Sequence, residues 1–276
     1  MRSPRARRLP AAAAVATGVS GAALASLAAC SARPAAGGGE RSSPGPEAGD
    51  ASLADPRPPA FTVPAPVPLR PSRFESTWAT VRLATAVRAA PRGEARVLAR
   101  LDPRTPEATR NVVLTLERAM DAQGSLWIQV RFPGFPDTTT GWVPRRTLGG
   151  YGMVRTRLVV DLGDRRATLF SRGRPVFRTS VGIGTAAAPT PTGEFYIRNK
   201  LTRYRSAFYG PIAFGTSARS PTLTDWPAGG FVGIHGTDRP DLIPGAVSHG
   251  CIRMRNADIV RLARLLPIGT PLVIQA

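Results

Sequence analysis

From Thr77 to the C-terminus, apolar residues alternate with polar ones in short runs broken by Gly, Pro, Asn and Asp, and a single stretch, residues 257–266, carries helical spacing. A chain patterned this way can bury one face per strand and little else, so it must fold mainly as β-sheet. Five short runs, at residues 79–83, 95–101, 112–116, 126–132 and 141–143, predict a small antiparallel barrel over residues 77–150. Beyond Tyr151 the runs lengthen, at residues 156–162, 167–170, 176–183, 194–198, 231–235 and 271–275. They predict a sandwich-like β domain over residues 151–276 under one covering helix, with Asn256 as its N-cap and Pro267 and Gly269 closing it.

The preceding residues follow a different rule. Residues 31–72 hold ten Pro among Gly, Ser and Ala, with no hydrophobic periodicity. Such a segment cannot bury enough apolar area to offset its ordering entropy, so residues 30–76 are expected to form an extended tether. At about 3.1 Å per residue it would reach on the order of 100 Å. Residues 1–29 have the form of an export signal: Arg2, Arg5, Arg7 and Arg8, then an uncharged Ala-rich stretch ending in Leu27-Ala28-Ala29-Cys30. Small residues before a Cys match a lipobox, whose thiol is diacylated before cleavage. The expectation is an exported protein, lipid-anchored through Cys30 to a membrane and facing the cell wall.

Net charge is +19, yet 36 of the 37 basic residues are Arg, and the excess is spread over every part of the chain except the tether, where Arg and acidic residues balance. No basic helix, zinc finger or RNA-binding motif accompanies them, so a nucleic-acid partner is not expected. A diffuse positive field suits anionic surroundings such as wall polymer or lipid headgroups. With two Cys and two His in 276 residues, a disulfide scaffold and a multi-site zinc module are excluded.

With Cys30 set aside, one thiol remains, Cys251, and both His of the chain lie within 16 residues of it. A thiol attacks an amide carbonyl only as thiolate, and imidazole is the base whose pKa suits the proton transfer. In an extended segment His249 and Cys251 would face the same side, with His235 approaching from a neighbouring strand. Gly236 and Gly250 leave room for a substrate carbonyl to reach main-chain N–H groups that can serve as an oxyanion hole. Arg253, Arg255 and the start of the helix add positive potential that favours thiolate and suits a substrate carboxylate. His235, His249 and Cys251 have the atoms of zinc ligands, but the usual fourth ligand and spacing are absent, so no metal and no cofactor are expected.

Two stretches carry family resemblances. Val81-Arg82, Val87-Arg88-Ala89-Ala90-Pro91, Gly124-Ser125-Leu126-Trp127-Ile128 and Gly141-Trp142-Val143-Pro144 resemble a bacterial SH3-like (SH3b) domain, with a loop at residues 102–110 longer than many members show. That resemblance implies wall-peptide binding or packing on a neighbouring domain. His235-Gly236-Thr237 and Ser248-His249-Gly250-Cys251-Ile252-Arg253, with Pro189-Thr190-Pro191-Thr192-Gly193-Glu194-Phe195 upstream, resemble the catalytic domain of the L,D-transpeptidases of YkuD type. It implies Cys251 as nucleophile, His235 as proton acceptor and donor, Ser248, His249 and Gly250 shaping the site, and main-chain N–H groups near Gly250 and Cys251 binding the oxyanion; Arg253, whose fork suits a carboxylate, and Thr237 are expected to meet substrate. The implied reaction is 3→3 cross-linking of peptidoglycan stem peptides through a thioester, with release of terminal D-Ala. An L,D-carboxypeptidase that resolves the thioester with water, and a non-catalytic wall-binding lipoprotein, remain alternatives. Tyr204, Phe208, Tyr209 and Trp226 precede the site and are candidates for a cleft wall or lid.

Overall fold

Alternating runs become strands wherever their apolar side has a second layer to cover it. The computed structural model describes residues 66–69, 72, 74–134, 139–202, 206–220, 222 and 230–276. The export signal, Cys30, most of the tether, Tyr204 and Trp226 lie outside the described residues.

The first sheet is built from β1 (Val67–Pro68), β2 (Ser76–Val81), β3 (Thr85–Arg88), β4 (Val97–Leu101), β5 (Val112–Met120), β6 (Leu126–Arg131), β7 (Thr140–Pro144) and β8 (Leu148–Val154). Its order is β4-β3-β7-β6-β5-β2-β8, with β1 beside β5. Inward positions of these strands, among them Ala79, Val81, Val87, Val113, Ile128, Val130 and Val143, form an aliphatic core. Its hairpins rest on local turn chemistry: Asp121 Oδ1 accepts the N–H groups of Gln123 and Ser125, and Asp121 Oδ2 accepts Trp127 Nε1–H at 2.8 Å.

The second sheet follows at once. It comprises β9 (Thr156–Asp161), β10 (Arg166–Ser171), β11 (Arg174–Ser180), β12 (Gly182–Gly184), β13 (Gly193–Leu201), β14 (Ala213–Arg219), β15 (Phe231–His235), β16 (Gly245–Ser248), β17 (Ile252–Arg253) and β18 (Pro271–Gln275). The order is β11-β10-β9-β18-β13-β14-β15-β17-β12-β16. The C-terminal strand β18 thus enters the middle of the sheet, parallel to β9 and antiparallel to β13. Leu158, Leu169, Phe195, Phe214, Ile234 and Ile252 pack beneath Ile259 and Leu262 of α1 (Asn256–Leu262).

The helix is shorter than the 257–266 expected, and Asn256 does not cap it. Arg255 takes the cap position with no side-chain cap bond, while Asn256 Oδ1 accepts the Thr237 N–H at 2.9 Å. Tertiary contact has claimed the side chain that local sequence would have spent on the helix end. Val181 divides the run expected at residues 176–183 into β11 and β12.

The described residues belong to one compact unit. Between the sheets Val112, Leu114 and Tyr196 form a cluster with Trp78 and Ile268, and Tyr196 Oη–H donates to the Val112 carbonyl at 2.9 Å. Burial pushes the Tyr196 phenol above its ordinary range, outweighing the nearby Arg198 and Arg131, so it stays a neutral donor. A cleft of about 680 Å³ also opens between the sheets, lined in part by Phe74, Leu114, Arg131, Phe170, Glu194 and Leu272, and it contains none of the site residues expected from sequence.

Candidate active site

Strands β15 and β17 run parallel, with Ile234 opposite Ile252 and His235 opposite Arg253. Alternate residues share a face, so Gly233, His235, Cys251 and Arg253 turn to one side while Ile234 and Ile252 enter the core. The register therefore makes His235 and Cys251 diagonal neighbours. Gly233, opposite Cys251, has no side chain to separate them, and its N–H donates to Cys251 Sγ at 3.3 Å. A donor on sulfur favours the charged form, a pull toward thiolate that works against the 6% exposure of Cys251.

His235 is 1% exposed. Its Nδ1 lies 2.6 Å from the Gly236 carbonyl, which only accepts, so Nδ1 carries the proton and Nε2 of the neutral ring is the basic nitrogen. The Tyr209 ring meets the imidazole edge-on at 4.8 Å between centroids, and the Phe208 ring lies at 6.1 Å. Of the aromatic candidates in described segments, Tyr209 is buried behind the base and Phe208 is 36% exposed. At Gly236 an added Cβ would fall 2.2 Å from Asn256 Oδ1, so a larger residue would displace the bond that ties this turn to the helix.

The segment before the thiol is a tight turn, and this overturns one expectation. Gly250 has φ of +116°, a conformation that favours glycine, and the extended geometry that would align His249 with Cys251 is broken there. Cys251 is buried whereas His249 is exposed. Ser248 holds the turn from inside: its Oγ–H donates to the Cys251 carbonyl at 2.6 Å, and its Oγ accepts the Gly250 N–H at 3.1 Å. The Gly250 amide, expected at the oxyanion, is thus spent on Ser248, and Gly250 acts by shaping the turn. Thr190 secures it from the other side, donating to the Gly250 carbonyl at 2.9 Å while accepting the Gly184 N–H at 2.8 Å.

Two further expectations change. Thr237 is 1% exposed, with its N–H on Asn256 and its Oγ1 accepting the Arg239 N–H at 3.1 Å, so its polar atoms serve the turn after His235 instead of meeting substrate. Arg255 donates to the Ile243 carbonyl and anchors the segment before β16. Arg253 differs from both: its guanidinium lies 4.6 Å from the Phe208 ring centroid and its buried Nε has no hydrogen-bond partner. His235, His249 and Cys251 do not gather as a ligand set; among the described residues no three His, Cys, Asp or Glu side chains do.

The sequence assigns no role to Thr190 or to the Gly233 amide, and it places the Asn256 side chain on the helix end instead of the turn after His235. Thr190 stands in the quoted Pro189-Thr190-Pro191-Thr192 run and was within reach of a motif reading. The Gly233 amide is a backbone group, which no residue type announces.

Residues 155–274 match the YkuD family, described as the L,D-transpeptidase catalytic domain. The Bacillus subtilis protein YkuD, named as an L,D-transpeptidase, is 32% identical over 142 residues, covering 51% of this chain and 71% of that one. ErfK/SrfK of Salmonella typhimurium, also named as an L,D-transpeptidase, is 30% identical over 139 residues, covering 42% and 43% of the two chains. Among solved structures, the catalytic domain of the Enterococcus faecium L,D-transpeptidase is similar at 26% identity and a TM-score of 0.33, over 43% of this chain and 95% of that one. A longer crystallised form of the E. faecium enzyme is 24% identical with a TM-score of 0.35, over 43% of this chain and 49% of that one.

Proposed function

We infer the reaction from one premise: the chain belongs to the L,D-transpeptidase family, and its second sheet is a catalytic domain of YkuD type. The observation that carries the proposal is the pairing of a thiol that accepts an amide N–H with an imidazole whose tautomer leaves Nε2 basic. Nε2 of His235 takes the Cys251 proton, and the sulfur attacks the carbonyl of the third residue, a diamino acid, of a peptidoglycan tetrapeptide stem. The amide bond breaks, His235 returns the proton to the departing D-Ala amine, and a thioester on Cys251 remains. The side-chain amine of a second stem then attacks the thioester. His235 accepts its proton, the thiolate leaves and is reprotonated, and a 3→3 cross-link results. One amide is broken and one made, so neither ATP nor a cofactor enters the balance.

Arg253 is the residue we place against a carboxylate of the stem. It shares the face of Cys251 and His235, stacks on half-exposed Phe208, and has a buried Nε that a carboxylate oxygen would satisfy. We further propose that residues 77–150 act as an SH3-like accessory domain. Export with a lipid anchor on Cys30 would hold the protein on a membrane facing the wall.

The test is to treat sacculi with the protein and identify the muropeptides by mass. Cross-linked 3→3 dimers with free D-Ala are the expected products, and Cys251→Ala is expected to yield neither. Tripeptides alone would replace transpeptidation with carboxypeptidase activity. Wild-type protein that leaves the sacculi unchanged would leave only the wall-binding role.

A further inference from the structure

The loop at residues 102–110, closed by a bridge between Arg104 and Arg110, reaches from the first sheet to the second. Its Glu107 side chain is 4% exposed and accepts from Arg198 Nη2 at 2.7 Å and from Asn199 Nδ2 at 3.2 Å. Asn199 Nδ2 also donates to Thr109 Oγ1 at 3.1 Å. Neither partner of Glu107 stops there. Asn199 Oδ1 accepts the Gly215 N–H at 3.0 Å, where the β13–β14 register shifts between Ile197 and Asn199. Gly215 is the register partner of Gly233, whose N–H meets Cys251 Sγ. By the second route the Arg198 guanidinium lies 3.9 Å from the ring centroid of Phe231, two residues before Gly233. Both routes end on the same strand, β15: the first at Gly233, whose amide faces the sulfur, and the second at Phe231, two residues before it.

We propose that Glu107 is a positioning residue for the Cys251 thiol, acting through Asn199 and Arg198 to fix the Gly233 amide on the sulfur. The inference rests on Cys251 being the nucleophile. Asn199 explains why the arrangement is single: turning its amide over would set Oδ1 against the Glu107 carboxylate and Nδ2 against the Gly215 N–H, losing both bonds together. A buried Arg–carboxylate pair adds little stability over apolar residues of the same shape, but its charge-assisted bonds hold geometry tightly away from water. A hydrogen bond to sulfur weakens steeply with distance and angle, so a small shift of β15 reads out directly as a loss of thiolate.

The experiment uses the full chain. The rate of iodoacetamide alkylation is followed against pH at the Cys251 peptide by mass spectrometry, alongside the rate of acylation by a carbapenem and the melting temperature. Glu107→Gln, which keeps shape and removes charge, is expected to slow acylation by about three- to thirtyfold and to move the alkylation midpoint to higher pH. Glu107→Asp is expected to recover part of both. Tyr196→Phe removes a hydrogen bond of the same interface, to the Val112 carbonyl, that is a link in neither route, and it should lower the melting temperature and leave the midpoint in place. An unmoved midpoint in Glu107→Gln, or an equal shift in Tyr196→Phe, would overturn the proposal. Should Glu107→Gln not fold, Thr109→Val decides by the same midpoint, since it removes a partner of Asn199 without unpairing Arg198. Wild-type protein whose Cys251 resists both reagents would instead sink the nucleophile assignment.

Discussion

The two sheets are written in the same alternating pattern, yet they bury different things. The first closes over a largely aliphatic core, and the polar residues it buries are few and uncharged: Thr85, Thr105, Asn111, Thr115 and Thr147. The second buries Arg198, Asn199, Thr216, Ser217, His235, Ser248 and Arg253 beside its apolar core. A buried polar group is costly unless it is hydrogen-bonded, so a sheet carrying this many needs a partner for nearly every one. Those bonds make the thiol and imidazole geometry specific, and the first sheet supplies one of the partners, Glu107. The interface includes an ion pair whose side chains are 2% and 4% exposed.

The sharpest way to break the comparison is at the two His. His235→Ala is expected to slow thioester formation by about 10²- to 10⁴-fold, the range for losing a general base. His249→Ala, at an exposed position beside the same thiol, should cost far less. Single-turnover acylation of both variants measures the difference, and equal losses would mean that burial does not separate the base from its neighbour.

The next largest effect concerns the seam. Burial, the larger influence, pulls the Arg198 pKa below its ordinary value and Glu107 pulls it back, which is the situation of a charge kept inside by its partner. Glu107→Ala should therefore destabilise the fold by about 3–5 kcal/mol, measured by equilibrium denaturation, because Arg198 is left buried and unpaired. A loss below about 1 kcal/mol, the value of an exposed pair, would show that water reaches Arg198 and that the sheets are modular after all.

The smallest expected effect lies inside the first sheet. Desolvation, the largest single influence, raises the Asp121 pKa, but the bonds from Trp127, Ser125 and Gln123 together outweigh it, and the carboxyl titrates below its ordinary value. A depressed folded-state pKa adds stability above the unfolded value and loses it as pH falls through the folded one. Asp121→Asn should thus cost about 1 kcal/mol at neutral pH and progressively less in acid. Urea midpoints at two pH values check the sign, and a penalty that grows in acid would contradict it.

Most strands were legible because alternation survives wherever one face is covered by a core; residues 231–235 and 271–275 fall where the pattern places them. β14 was not, since six of the seven residues in Ala213–Arg219 are buried and a strand covered on both faces shows no alternation. β16 and β17 are four and two residues long, too short for any period to declare itself.

The mainly β class and the candidate reagents could be read from the chain alone, because strand periodicity is local and because Cys251 is the one thiol with both imidazoles of the chain within 16 residues of it. Folding settles which imidazole is buried with Nε2 basic, which amide meets the sulfur, and where Glu107 and Asn256 spend their side chains. Those choices depend on register between strands distant in the chain and on polar groups that must find partners once water is excluded, and neither is written in a residue's immediate neighbours.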